Sequence, residues 1–302
     1  MSTFAIVLIL LSACAHAGWN LLSKRTSPNA AFFLTANIAG TFCLMPFGLF
    51  FYSFIPQIPL SVWGLLILTG LCQTLYFMGL GGAYRNGDLS IVYPLARALP
   101  ALLVAGVSIS LGHKDQISVQ CLLGATCVVA GCFVLPMQQF RDFRIDNYFN
   151  LSSLFALMAA LGTTGYSLCD DAALRQLRNL PQQDLTVWQI TGVYAFFEGI
   201  STMFWMALVT LPYRIVRRDV QSLLIGAWPH ALLTGAIIIF TYAIVLVSMA
   251  FVENVSYVVG FRQLSIPIGA VLGIVWLKEP AHSPKFLGLA ILVTGLVLIA
   301  TG

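Results

Sequence analysis

Ten long apolar stretches, joined by connections too short to fold on their own, leave this chain few ways to fold. They lie near Phe4 to Leu22, Ala30 to Phe54, Leu60 to Gly82, Leu89 to Leu111, Ile117 to Leu135, Leu151 to Cys169, Val187 to Leu211, Leu223 to Ala250, Val255 to Leu277 and Phe286 to Ala300. A helix rises about 1.5 Å per residue, so about 20 apolar residues cross the roughly 30 Å of a bilayer's hydrocarbon. Only 9% of the residues are charged, against about 25% in soluble proteins. The expected fold is therefore an all-α integral membrane protein with ten transmembrane helices. The longest connections, Pro136 to Asn150 and Asp170 to Thr186, leave no room for a soluble domain, and nothing in the charge pattern suggests nucleic-acid binding.

The first stretch has no basic leader and runs on into Gly18, Trp19 and Asn20, which predicts a retained helix rather than a cleaved signal. The seven cysteines fall almost entirely inside apolar stretches and lack metal-ligand spacing, so no metal or cofactor is expected. Lys24, Arg25, Arg85, Arg141, Arg144, Arg214, Arg217, Arg218, Lys278 and Lys285 collect on one side of the predicted membrane. Lys114, Arg175 and Arg178 fall on the other. The positive-inside rule makes the first side cytoplasmic and puts both termini outside.

The stretch from Leu89 to Leu111 contains a single ionisable group, Arg97, with Pro94 and Pro100 on either side. An arginine near the bilayer centre costs about 2.5 to 3.5 kcal/mol on insertion scales and usually faces a bundle interior or a watery cavity. Each proline removes a backbone donor, which predicts a kinked helix beside a buried cation.

The sequence also repeats itself. His16, Trp19 and Asn20 share one helix face, and an offset of 147 places Tyr166 on Trp19, Ser167 on Asn20 and Asp171 on Lys24. Leu123-Gly124 with Gly131 matches Leu287-Gly288 with Gly295 at an offset of 164, and Leu89-Ser90 with Arg97 matches Val255-Ser256 with Arg262 at about 166. Residues 1–136 and 150–302 thus read as two five-helix units. Five is odd, so the second unit enters the membrane from the opposite side. Inverted repeats of this kind underlie alternating access in secondary transporters.

The run His16-Ala-x-Trp19-Asn20, the stretch Gly87-Asp88-Leu-Ser90-Ile-Val-Tyr93-Pro94-Leu-Ala-Arg97, and the passage with Arg262, Leu277-Lys278-Glu279 and Leu287-Gly288 resemble the EamA-like branch of the drug/metabolite transporter superfamily. The likeness covers essentially the whole chain. It implies a secondary transporter of a bacterial cytoplasmic (inner) membrane, often an exporter of amino acids or other small metabolites, with a cavity between two halves. Two positions depart from the family pattern: Leu111-Gly112-His113 lacks an acid, and Asp170-Asp171 replaces an Asp-Lys pair.

Candidate substrate-binding residues are Trp19, Asn20, Tyr76, Tyr93, Arg97, Tyr166 and Arg262, and candidate coupling groups are Glu198 and His16. Arg97 with Tyr93 one turn before it would bind a carboxylate or phosphate; its competing reading is an arginine satisfied by carbonyls freed at the prolines. Arg262 is shallower, so snorkelling or an ion pair competes with ligand binding. Glu198, mid-helix, must be protonated or paired at that depth; as a coupling group it would exchange protons between the two sides. Gln73, Tyr76, Leu80 and Tyr84 share a face that offers aromatic surface with polar handles. His16 on an apolar face reads equally as a satisfied core histidine. Asp170, Asp171, Arg175 and Arg178 read as a solvated helix end with an Asp171–Arg175 pair, a gate being the lesser alternative.

The expected partners are a small-molecule substrate, the lipid bilayer and protons as coupling ion. A membrane-embedded enzyme acting on a lipid or prenyl substrate is the alternative. It is opposed by the absence of His-Glu-x-x-His, of a nucleotide-binding glycine loop and of clustered acids, and by the scatter of the four histidines over His16, His113, His230 and His282. Arg97, Arg262 and the aromatics point to an organic anion or zwitterion such as an amino acid. A tyrosine and tryptophan cage would instead suit a quaternary ammonium.

Overall fold

The computed structural model describes residues 2–23, 29–86, 89–142, 150–181, 184–226, 228–276, 278 and 280–302. Lys24, Arg25, Gly87, Asp88, Arg144, Leu277 and Glu279 lie outside this set, as do the side chains of Trp19, Asn20, Tyr84 and Tyr93. The described chain is all-α. Its helices are α1 (Thr3–Ser23), α2 (Ala30–Phe50), α3 (Leu60–Asn86), α4 (Leu89–Ser110), α5 (Val119–Val134), α6 (Leu151–Arg178), α7 (Val187–Thr210), α8 (Arg214–Gly226), α9 (Trp228–Ser248), α10 (Val255–Phe261), α11 (Ser265–Trp276) and α12 (Ser283–Thr301). Seven helical spans are long and apolar enough to cross a membrane, and three further apolar helices, Thr3–Gly18, Ala96–Ser110 and Val119–Val134, are shorter. These are the features of a multi-pass membrane protein.

Helix starts follow the capping residues. The side chains of Asn29, Ser118, Asn150, Thr186 and Asn254 each accept a hydrogen bond from a backbone N–H of the first turn, satisfying donors that have no partner inside the helix. At the end of α4, Gly112 adopts a φ of 89°. Its N–H bonds the Ile109 carbonyl at 3.0 Å and the His113 N–H bonds that of Ser108 at 3.0 Å, a Schellman closure that needs the left-handed residue.

Two local expectations are corrected. The sixth apolar stretch does not stop at Cys169: α6 runs to Arg178, because its buried face continues through Asp170, Ala173, Leu174 and Leu177. The connection before the eighth stretch is itself helical, forming α8, and Leu223 belongs to it. The stretch with Pro94 and Pro100 is helical from Leu89 to Ser110. The ninth stretch, one helical span from Val255 to Val275, tightens in its middle. A 3-10 turn at Arg262–Leu264 separates α10 from α11, one turn before Pro267, which has no N–H for the Gln263 carbonyl and whose ring crowds it.

Apolar tails offer no hydrophobic gain when helices associate among lipids, so close approach through small residues has to hold them together. A Cβ added at Gly124 of α5 would lie 2.6 Å from the Gly295 carbonyl oxygen of α12, and one added at Gly295 would lie 2.6 Å from that of Gly124. Gly131 and Gly288 repeat the reciprocal contact at 2.8 and 2.9 Å. Gly40 of α2 meets Gly235 of α9, and Gly79 of α3 meets Ala159 of α6 in the same manner. Around these seams α3 packs along α6 and α7, α2 along α7 and α9, α1 along α9 and α11, and α4 against α5, α6 and α10.

Candidate functional site

A cavity of about 60 Å³ opens among α1, α2, α3, α6, α7, α9 and the α10–α11 turn. Its wall includes His16, Asn37, Gln73, Tyr76, Tyr166, Glu198, Thr241, Tyr242 and Arg262. A water needs at least about 10 to 15 Å³ of such space, so this conformation has room for a few waters or a very small ligand.

The 3-10 turn between α10 and α11 places Arg262 in this wall. The residue is 4% exposed, so it neither snorkels nor, among the described residues, pairs with an acid. Its Nη2 donates to the Tyr166 hydroxyl at 2.9 Å. Its guanidinium lies 5.9 Å from the Tyr166 ring centre and 5.7 Å from that of Tyr242. Among the described residues, Nε and Nη1 have no hydrogen-bond partner. A buried cation with unpaired donors beside a cavity has the chemistry of an anion-binding group, since charge-assisted bonds to a carboxylate would satisfy both donors.

Next to it lies Asp170, which is fully buried. Thr69 donates to its Oδ1 at 2.5 Å and Tyr194 to the same atom at 2.7 Å, while Tyr242 donates to Oδ2. Accepting at both oxygens is what a carboxylate does. Tyr242 thus touches both buried charges, with its hydroxyl on Asp170 and its ring beside Arg262. It acts as a spacer that keeps the opposite charges from closing into an ion pair. Tyr76 and Tyr166 continue the aromatic lining, with ring centres 5.9 Å apart, and Tyr166 and Tyr242 meet edge to face at 5.5 Å.

Glu198 occupies the α7 side of the cavity at 1% exposure. Gln73 Nε2 donates to its Oε1, and Thr202 donates within reach of the Gln73 Oε1 at 3.1 Å. Among the described residues, Glu198 Oε2 and Asn37 Oδ1 have no partner. The residues of the wall thus hold buried unpaired donors at Arg262 and buried unpaired acceptors at Glu198 and Asn37.

Of the residues singled out from sequence, Tyr76, Tyr166, Arg262, Glu198 and His16 come together here. Arg97 does not line the cavity: it is 3% exposed, and its Nη2 donates to Ser265 Oγ at 2.9 Å. Ser265 in turn donates to the Arg262 carbonyl at 3.3 Å, so Arg97 braces the turn that carries Arg262. The reading of Asp170 as part of a solvated helix end is corrected by its burial. The Asp171–Arg175 pair forms at 2.8 Å. Asp170, Tyr242, Tyr194 and Asn37 were not anticipated. The available signal for Asp170 was its i, i+3, i+4, i+7 alignment with Thr163, Tyr166 and Ser167 on a face free of lysine and arginine.

No protein-family model matches the sequence, and no curated protein matches it. A solved structure whose title reads only "Crystal structure of protein" superposes with a TM-score of 0.63 at 16% identity, covering 100% of this chain and 98% of that one. At that identity the likeness is one of fold alone.

Proposed function

We propose that the protein is a secondary transporter of a small organic anion or zwitterion, amino acids included. In this reading it works by alternating access in a bacterial cytoplasmic membrane and belongs with the EamA-like branch of the drug/metabolite transporter superfamily. The observation that carries the reading is the buried Arg262 guanidinium with two donors unpaired among the described residues, facing a cavity walled by helices from both halves of the chain. The seams support an inverted repeat. An offset of 164 turns the contact Gly124–Gly295 into Gly288–Gly131, which is the other contact of the same seam. A pseudo-twofold axis requires such reciprocity. Other pairings also come as mates: α3 with α6 answers α1 with α9, and α2 with α9 answers α3 with α7. The 3-10 turn at Arg262–Leu264, inside the span Val255–Val275, lies at the cavity, and a mid-helix 3-10 stretch is a common mark of a functional hinge.

The aromatic lining favours an anionic group over a quaternary ammonium. The Tyr166 and Tyr242 rings that would cage such a cation already lie against Arg262. The unpaired acceptors at Glu198 and Asn37 would receive the ammonium of a zwitterion, and Glu198 is the candidate carrier of a coupled proton. Export is the direction that the family resemblance suggests.

The test is uptake into liposomes of pooled labelled amino acids, organic acids and choline-like cations by purified protein, with and without a pH gradient. Carboxylates are expected to accumulate, and Arg262→Gln should lower their transport at least about ten-fold, the equivalent of losing one charge-assisted hydrogen bond of roughly 1.5 to 3 kcal/mol. Absence of transport of every pool member, or unchanged carboxylate transport by a folded Arg262→Gln protein, would overturn the proposal.

A further inference from the structure

The helix α8 contributes no residue to the cavity wall and is not itself one of the apolar spans. It joins the end of α7 at Thr210 to α9, both of them long enough to cross a membrane, so its 13 residues must lie at a membrane surface and cover about 20 Å of it. Val216, Asp219, Val220 and Leu223 fall on one face and are partly buried, with Val220 and Leu223 packed against the apolar cluster that contains Phe32 and Phe33. Arg214, Arg217 and Arg218 project from the opposite arc, about 100° wide by helix geometry, and all are exposed. Tyr213, Ile215, Ile225 and Trp228, exposed by 63%, 70%, 85% and 55%, flank that arc.

Two details give the surface a sign. The helix's one acid, Asp219, is turned inward and accepts from Asn29 Nδ2 at 3.0 Å, so it does not neutralise the arginines. Arg217 Nη1 donates to the carbonyls of Leu211 and Pro212, which ties α8 to the end of α7. Among the described residues, Arg214 and Arg218 have no hydrogen-bond or ion-pair partner. A basic arc flanked by exposed aromatic and branched residues, held at the level where spans leave the bilayer, matches the headgroup region of an anionic leaflet.

We propose that α8 is an interfacial helix whose Arg214, Arg217 and Arg218 bind the phosphates of anionic phospholipids, while Tyr213, Ile215 and Ile225 enter the headgroup boundary. The lipid bridges the end of α7 to the start of α9 through this helix. Each arginine near an anionic surface contributes about a factor of five in affinity.

The test is native mass spectrometry of the full chain in detergent with equal amounts of phosphatidylglycerol and phosphatidylcholine. The wild type is expected to retain phosphatidylglycerol preferentially. Arg214→Gln with Arg218→Gln should lower that preference about ten-fold or more. Arg214→Lys with Arg218→Lys should keep most of it, and Lys114→Gln, an exposed charge on the other side of the predicted membrane, should leave it intact. Thermal unfolding of each variant controls for folding. Equal retention of the two lipids by the wild type would overturn the assignment, and so would an unchanged preference in a folded double-glutamine variant. This outcome does not depend on whether anything is transported.

Discussion

Asp170 and Asp171 are neighbours in sequence and opposites in consequence. Asp170 holds three hydroxyls from three other places in the chain, at Thr69, Tyr194 and Tyr242. Asp171 pairs with Arg175, whose side chain is 40% exposed. Hydrogen bonds to a buried charge contribute about 1.5 to 3 kcal/mol each, whereas an ion pair with one exposed partner, Arg175, and Asp171 at 14% exposure contributes about 1 kcal/mol or less. Asp170→Asn, which leaves one acceptor oxygen where there were two, is therefore expected to cost about 3 kcal/mol, and Asp171→Asn about 1 kcal/mol or less. Thermal or denaturant unfolding of the two proteins in the same detergent decides this, and similar losses for both would mean that Asp170 is not the hub described above. The charge pattern of the sequence, Asp-Asp followed by two arginines, reads as a solvated end because charge counting ignores the helix face. Asp170 aligns with Tyr166 and Thr163, while Asp171 and Arg175 share the adjacent one.

The helices themselves were more readable than their interruptions. Ten apolar stretches map onto described helices with shifts at their ends, because length and apolarity are local properties that the sequence states directly. The 3-10 turn at Arg262–Leu264 was not anticipated, because Pro267 carries the same local signal as Pro94 and Pro100 and that signal does not say which turn tightens. The glycine seams were visible as a repeat but not as contacts. Their reciprocity makes a sharp prediction for α5 and α12: Gly124→Ala adds a carbon 2.6 Å from the Gly295 carbonyl oxygen, where backbone must move. Overpacking of that kind costs about 1 to 3 kcal/mol. Gly106→Ala on α4 meets nothing within 4 Å and should be neutral or stabilising by up to about 1 kcal/mol, since alanine restricts the unfolded chain. Equal unfolding temperatures for the two variants would remove the seam from the account of stability.

Across the molecule, α3 is fastened to the second half by two buried polar ties one turn apart, Thr69 to Asp170 and Gln73 to Glu198. Any motion that opens the cavity between α3 and α7 must release the second tie, so the state of the Glu198 carboxyl and the opening of the cavity are linked. Charge makes the link directional. Arg262 and Asp170 offset each other in the closed site, so an added carboxylate brings an unbalanced negative charge into a region where burying one is costly. A zwitterion supplies its own compensation at Glu198 and Asn37. A simple monoanion has none, and a proton on Glu198 would provide it. If the proposed transport function holds, uptake of a monoanion by the wild type should follow an imposed pH gradient. Glu198→Gln is permanently neutral and retains an acceptor oxygen for Gln73, so it should still exchange labelled for unlabelled anion across the membrane while losing accumulation driven by the gradient. The measurement is paired: counterflow at equal pH, and net uptake under a gradient of one to two pH units, on the same liposomes. Gradient-driven accumulation that survives in Glu198→Gln would assign the coupled proton to another group and leave Glu198 as a fixed partner of Gln73. Loss of both activities in a folded variant would make Glu198 a part of the binding wall and not the proton carrier.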